Sequence, residues 1–263
     1  MALNMLLALL AMALAASTAG WWKPPKRIQW QWQLSPFNYP ADLVKGPDRL
    51  DMYDVDVFDN TATTIRNIKS RGVRVMCYFE AGTWPSGKVN NPFLSQYPAR
   101  CKGKPYEPPY TDELWLDITC PEVLNITRKI LDLAVTKGCD GVEPDNVQGF
   151  ETDSGYNTGF YKCPIKNGVQ TGYTTGCDLD YKEWRGFNLF LANEAHARNL
   201  SIALKNNFYM APEMAAVHDM VLSEQCYQYG ECANYTSFIN AGKPVLLTEY
   251  RRSNGWPLKT CRE

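Results

Sequence analysis

Short apolar runs and longer amphipathic ones alternate along most of the chain. Gln29 to Leu34 reads QWQWQL, a strict two-residue alternation that predicts a strand. Further strand patterns fall at Asp51 to Phe58, Val73 to Phe79, Glu113 to Ile118 and Gly138 to Glu143. Three more are Ser201 to Lys205, Asp219 to Ser223 and Pro244 to Thr248. Helical spacing occupies Thr61 to Arg71, Pro121 to Lys137 with proline in its first turn, Tyr181 to Arg198, and Tyr235 to Ala241. Eight strands with mostly helical crossovers in about 240 residues predict an α/β fold, a single (β/α)8 TIM-like barrel. An open doubly wound sheet is the alternative. It carries a glycine-rich phosphate loop after its first strand, where this chain has Ser35, Pro36 and Phe37.

Two irregular stretches interrupt the alternation. Ala81 to Asp112 follows the third strand, and Gln148 to Asp180 follows the fifth. Loops after strand C-termini lie on the catalytic face of a barrel, so both are expected to wall a groove. Near the start, Met5 to Ala16 is apolar but too short for a bilayer, which needs about 20 residues. Ser17, Thr18 and Ala19 supply a small-x-small cleavage pattern. Residues 1–19 are therefore expected to be a signal peptide and residues 20–263 a single barrel domain, secreted to the extracellular space and free of the membrane after processing.

Composition sharpens this. Apolar residues make up 45% of the 263, enough for one large core. Lys plus Arg total 27 against 28 Asp plus Glu, which lacks the basic excess of a nucleic-acid binder or a polybasic membrane arm. Fifteen Tyr and 8 Trp supply flat side chains able to stack on sugars. Nine cysteines suit an oxidising compartment, and an odd number leaves at least one without a partner in the chain. Cys77, inside an apolar strand pattern, is the expected free thiol. Cys163 with Cys177 and Cys226 with Cys232 are plausible local pairs. With no CxxC pair, and His196 and His218 as the only histidines, a structural zinc site is not expected. Sequons at Asn125, Asn199 and Asn234 agree with secretion.

The sharpest signal is where the charges fall. Asp54 and Asp56 lie in the second strand, Tyr78 and Glu80 close the third, Asp117 lies near the end of the fourth, and Glu143 and Asp145 close the fifth. Lys205 and Asn206 close the sixth, Glu224 the seventh and Glu249 the eighth. Barrel strands are covered on both faces, and polar residues at their C-termini point into one mouth. Alternation puts Glu143 and Asp145 on the face of Gly141, which leaves room beside them. So many acids in one cleft cannot all ionise freely, so pairing with Lys205 or raised pKa values are expected. One carboxyl kept as an acid beside another kept as a carboxylate is what a glycosidase requires. Competing chemistries are poorly supplied. His196 is expected on a helix surface and His218 at the far end of the barrel, and neither follows a GxSxG elbow. A hard cation held by Asp54, Asp56 and Asp145 is the metal alternative, although no metal or cofactor is expected.

Seven strings then occur in order: WQWQL at Trp30 to Leu34, YDVDVFD at Tyr53 to Asp59, VMCYFEAG at Val75 to Gly82, WLDI at Trp115 to Ile118, CDGVEPDN at Cys139 to Asn146, NEAHARNLSIALKN at Asn193 to Asn206, and SEQCYQYGEC at Ser223 to Cys232. Together they resemble glycoside hydrolase family 114, secreted endo-α-1,4-polygalactosaminidases with a TIM-like barrel. The resemblance implies cleavage of α-1,4 linkages inside a galactosamine-containing polysaccharide, with Asp145 in EPDN and Glu224 in SEQC as the catalytic acids. Glu224 is assigned as the general acid, its carboxyl buried against Trp30, Tyr78 or Tyr227, and Asp145 as the nucleophile or base beside Lys205. Substrate contacts are expected from Gln33, Asp54, Asp56, Tyr78, Glu80, Asp117, Glu143, Asn146, Lys205, Asn206 and Glu249. The expected partner is the polysaccharide, and the expected state a monomer. The competing reading is a catalytically silent secreted carbohydrate-binding barrel; retention of both Asp145 and Glu224 favours the enzyme.

Overall fold

The structure is a computed structural model, and it describes residues 20–34, 50–106, 111–150, 165–166, 169–170, 179 and 181–250. The proposed signal segment, Cys163, Cys177, Cys261 and most of the Gln148 to Asp180 stretch lie outside the described residues. The strands are β1 (Trp30–Gln33), β2 (Met52–Asp56), β3 (Arg74–Glu80), β4 (Thr83–Pro85), β5 (Lys102–Pro105), β6 (Glu113–Leu116) and β7 (Gly141–Asp145). A two-residue pair, β8 (Ile165–Lys166) and β9 (Val169–Gln170), precedes β10 (Ser201–Lys205), β11 (Met220–Glu224) and β12 (Val245–Thr248). The longer helices are α1 (Ala62–Lys69), α2 (Pro121–Lys137) and α3 (Tyr181–Ala197). Short ones follow: α4 (Ala211–Met214), α5 (Cys226–Tyr229) and α6 (Thr236–Asn240). Among the described residues, no helix is long and apolar enough to cross a membrane.

Seven strands form one parallel sheet in the order β1-β2-β3-β7-β10-β11-β12. Strand alternation sorts their side chains into two cores. Tyr53, Val55, Val75, Cys77, Phe79, Val142, Ile202 and Leu204 point outward and pack with Ile65 and Ile68 of α1, Ile126 and Ile130 of α2, and Trp184 and Leu191 of α3. Met52, Met76, Ala203, Met220, Leu222 and Leu246 point inward and pack against Trp30 and Trp32 of β1. An inner cluster that joins side chains of the first strand to those of the last requires the sheet to curl around it. This is the interior of the expected TIM-like barrel. Each fully buried side chain of this size contributes about 1.5–3 kcal/mol, so the inner cluster alone holds the curl against considerable chain entropy.

The fourth predicted strand departs from the expectation. β6 is a strand, but it pairs antiparallel with β4 and β5 in a separate three-stranded sheet, and β3 pairs directly with β7. The cause is legible in the β3–β7 ladder. It runs from Met76↔Gly141 to Glu80↔Asp145. A Cβ at Gly141 would lie 2.4 Å from Met76 Sδ of β3 and 2.8 Å from the backbone oxygen of Ser201 on β10, so glycine lets β7 sit closely between the two strands. Cys77, expected free, forms a disulfide with Cys139, with Cα atoms 6.1 Å apart. Neighbouring strands are about 4.8 Å apart, so that bond leaves no room for a strand between them. Cys101–Cys120 ties the start of β5 to the cap of α2, and the expected Cys226–Cys232 bond is present.

The base of the barrel is closed by the first described residues. Asp219 accepts from Trp21 Nε1 at 2.9 Å and Lys23 Nζ at 2.8 Å, and pairs with His196 Nε2 at 2.9 Å. Burial would raise the Asp219 pKa, but the bonds from His196, Lys23 and Trp21 outweigh it and hold it at about 2. His196 is therefore not a plain surface residue: it stacks on Trp21 with ring centres 3.8 Å apart. His218 is buried at this same end, and burial lowers its pKa to about 3.

Replacing Cys77 and Cys139 together by alanine should cost about 2–4 kcal/mol in chemical unfolding, because the bond closes a long loop. An unshifted midpoint would mean that the two thiols are not paired.

Candidate active site

Three inward-facing residues end their strands at one mouth: Asp145 on β7, Lys205 on β10 and Glu224 on β11. Each is followed by a residue with a left-handed backbone: Asn146 at φ 59°, Asn206 at φ 48° and Gln225 at φ 59°. Asparagine tolerates this region because its short side chain bonds locally; glutamine does so less readily. The three sharp exits turn the chain away directly after the polar residue. The side chains are thus left at the rim of the inner core, where strain of this kind tends to accumulate.

Lys205 is the centre of the site. Its Nζ lies 2.8 Å from Glu143 Oε1, 3.2 Å from Asp145 Oδ2 and 3.4 Å from Glu224 Oε2. The side chain is fully buried. Burial disfavours its charge, but Asp145, Glu143 and Glu224 outweigh that and raise its pKa well above the usual lysine range. The aromatic rings of Trp32 and Tyr78 lie 4.5 and 5.4 Å from Nζ.

Asp145 accepts from three donors: Lys205, the Tyr78 hydroxyl at 3.0 Å, and the backbone N–H of Asn146 at 2.7 Å. Glu224 also has three donors, Lys205, Asn206 and Tyr250. Its Oε2 accepts from Asn206 Nδ2 at 3.3 Å, its Oε1 accepts from the Tyr250 hydroxyl, and its backbone N–H donates to Asn206 Oδ1 at 2.8 Å. Its carboxyl end is more open, at 25% side-chain exposure against 14% for Asp145. Its neighbours are Tyr250, Asn206 and Lys205. Tyr227, expected to bury it, is itself 54% exposed.

Above these groups lies a cleft of about 270 Å³ whose lining includes Trp32, Tyr78, Glu113, Asp145, Asn146, Asn206, Glu224 and Tyr250. Other expected contact residues lie beneath or away from it. Asp54 and Glu143 are buried under the mouth, and Trp32 Nε1 donates to Glu143 Oε2 at 3.0 Å. Asp56 is fully buried. One of its oxygens takes the backbone N–H groups of Phe58 and Asp59, and the other takes Lys88 Nζ at 2.7 Å. Glu80 Oε1 accepts from Tyr78 at 3.3 Å and lies 3.7 Å from Lys88. Asp117 closes a local turn by accepting from Thr119 N and Oγ1. Glu249 accepts from the backbone of Tyr227 at 2.9 Å. Gln33 ends β1 one residue after Trp32 and so takes the opposite face. The hard-cation reading needs Asp54, Asp56 and Asp145 around one point, whereas Lys88 and two backbone donors already occupy Asp56.

Several functional neighbours were not singled out from the sequence. Trp32, Glu113, Lys88 and Tyr250 all enter the network. Tyr250 had a signal: it continues the inward parity of Leu246 and Thr248. Glu113 had none, because its position depends on β6 folding over the mouth, where Thr83 and Asn146 donate to it at 2.8 and 3.2 Å.

A curled parallel barrel with two carboxyl groups converging at its strand C-termini has the parts that glycoside hydrolysis needs. Residues 11–263 match the sequence profile of glycoside-hydrolase family GH114, and the chain belongs to that family. No curated protein matches it. Among solved structures it is similar to Aspergillus fumigatus Ega3 in complex with galactosamine, at 33% identity and a TM-score of 0.72, over 90% of this chain and 82% of that one. It also shares its fold with the glycoside hydrolase domain of PelA from Pseudomonas aeruginosa, at 13% identity and a TM-score of 0.58, over 88% and 86% of the two chains.

Glu80 gives a test of the buried charge. Burial raises its pKa from 4.5 to about 7, against the opposing pull of Lys88. The folded chain therefore binds this proton more tightly than the unfolded one. The resulting stability is full below pH 4.5 and is lost as pH rises to about 7. Glu80→Gln should flatten that part of the melting-temperature profile, whereas an unchanged slope would place the titration elsewhere.

Proposed function

We propose that the protein is a secreted endo-acting hydrolase that cleaves α-1,4 linkages in galactosamine-containing polysaccharide with Asp145 and Glu224. The observation that carries this reading is the convergence of both carboxyl groups on the single ammonium of Lys205 at the floor of the cleft. Membership of GH114 and the galactosamine bound to the Ega3 structure support the substrate class. Disulfides and the exposed positions of Asn125, Asn199 and Asn234 support an extracellular setting.

Asp145 suits the nucleophile. Three donors fix its orientation and hold it as an acceptor, ready to attack the anomeric carbon. Glu224 suits the acid and base. Its greater exposure lets it give a proton to the glycosidic oxygen and then take one from incoming water. The facing oxygens lie 3.2 and 3.4 Å from one nitrogen, so their separation cannot exceed the sum of those distances. A pair of oxygens held this close by one cation suits the shorter carboxyl spacing of retaining enzymes, about 5–5.5 Å. In the first step Asp145 bonds to the anomeric carbon as the glycosidic bond breaks, and the leaving oxygen takes the Glu224 proton. In the second, water donates its proton to Glu224 and displaces Asp145.

The buried acids change the picture of amine recognition. Asp54, Asp56, Glu80 and Glu143 are engaged inside the protein, so the ammonium groups of a deacetylated polymer meet Glu113, Asp145 and Glu224 at the cleft. Lys205 is the counter-ion of Asp145 and Glu224, while Glu113 has no lysine in contact with it among the described residues.

Incubation with α-1,4-linked galactosamine polymer should release reducing ends. Asp145→Asn and Glu224→Gln should each lower that rate by about 100-fold or more while keeping the native melting profile. Near-native activity in either variant would remove it from the catalytic pair, and a silent wild-type protein would favour the binding barrel. KM for deacetylated polymer should also rise with salt, since the Debye length is about 10 Å at 0.1 M, and rise less for acetylated polymer. Equal responses would take electrostatics out of the account.

A further inference from the structure

Directly beneath the catalytic pair lie two carboxyl groups that touch each other. Asp54 and Glu143 are both buried, and each carboxyl group faces the other inside the barrel. Two negative charges buried side by side repel strongly and have lost their water, so the pair keeps one proton. The surroundings decide which partner holds it. Glu143 has two donors of its own, Trp32 Nε1 at 3.0 Å and Lys205 Nζ at 2.8 Å, and is therefore built as an acceptor. Asp54 has none. Its ladder partners are Trp32 on β1 and Met76 on β3, its residue is 1% exposed, and its Oδ1 is buried with no hydrogen-bond partner. An ionised oxygen left bare in a dry interior is far costlier than a neutral carbonyl oxygen.

We propose that Asp54 is a positioning residue that stays protonated at neutral pH and donates its hydrogen bond to Glu143, thereby fixing Lys205 between Asp145 and Glu224. This rests on the catalytic reading above. The charged and titratable groups around Asp54 are Glu143 from β7, Lys205 from β10 and Asp56 on its own strand. Burial is the largest influence on Asp54, followed by the Glu143 charge; both favour the neutral form, and Lys205 opposes them. The arrangement spares Lys205. With Asp54 neutral, the ammonium has one fewer negative charge to serve, and its short contact to Glu143 sets its height beneath the two groups that do the chemistry. Asp54 is thus not a substrate-binding acid but a neutral donor built into the floor.

Asp54→Asn tests this, because asparagine keeps the shape, the neutrality and a donor. Its kcat should stay within about threefold of wild type, with both limbs of the pH–rate profile in place. Asp54→Ala removes the donor and should lower kcat by about tenfold or more with little change in KM, through misplacement of Lys205. An infrared spectrum of the folded protein at neutral pH gives a readout independent of substrate. Wild type should show a carboxylic-acid C=O band that is missing in Asp54→Asn. Identical acid bands in the two proteins would overturn the protonated state. So would an acid limb that moves down in Asp54→Asn, since that would mean a negative charge had been removed. Full kcat in a folded Asp54→Ala would overturn the positioning role. If wild type hydrolyses no galactosamine polymer while the infrared band behaves as expected, the substrate assignment fails and the proton assignment stands.

Discussion

A lysine ammonium cannot be buried alone, because leaving water costs several kcal/mol per ion unless partners replace the solvent. Lys205 is completely buried, and every feature of the mouth supplies its partners. Glu143 meets it from below, Asp145 and Glu224 from either side, and the faces of Trp32 and Tyr78 close around it. The dependence runs both ways. Without the cation, three carboxyl groups would share one small volume with nothing to balance their charge; without them, the ammonium would be expelled or deprotonated. This interaction converts a curled sheet into a site, and it holds the two proposed catalytic acids at a spacing that side-chain packing alone would not fix.

The rest of the architecture serves that arrangement at increasing distance. Gly141 lets β3 and β7 meet, which brings Tyr78 to Asp145. The disulfide between Cys77 and Cys139 locks that meeting from the helix side. Because β6 has left the parallel sheet, it is free to place Glu113 over the mouth beside Asn146. Asp56 and Glu80 anchor the loop that carries Lys88, so acids beneath the rim hold the wall of the cleft in place. At the opposite end, Asp219 gathers Trp21, Lys23 and His196 and seals the base.

Much of this was legible in the residues. Helix α2 runs over the same residues, Pro121–Lys137, that its spacing marks, because a proline at its start and Gly138 at φ 91° at its end define both limits. The inward parity of Asp54, Tyr78, Glu143, Asp145, Lys205 and Glu224 follows from period two alone. What remained hidden was partnership across long separations. The ELWL string of β6 reads as a strand in any sheet, and nothing local says that its neighbours are β4 and β5. Cys77 gives no local hint of a partner 62 residues away. Asp56 and Glu80 look like substrate contacts until Lys88, from the loop after β4, is found beside both. Charge at a strand end thus marks the region of a site, while the distinction between working and supporting acids depends on which donors the fold delivers.

The division of labour between Asp145 and Glu224 on their shared ammonium is tested most directly by chemical rescue of Glu224→Ala. An activated α-galactosaminide oligosaccharide is supplied together with sodium azide, and the configuration of the glycosyl azide is read by proton NMR. If Asp145 forms a covalent intermediate that Glu224 normally helps water to resolve, azide should restore turnover and yield the α-glycosyl azide. A β-glycosyl azide, or no rescue by azide in a folded variant, would contradict the account.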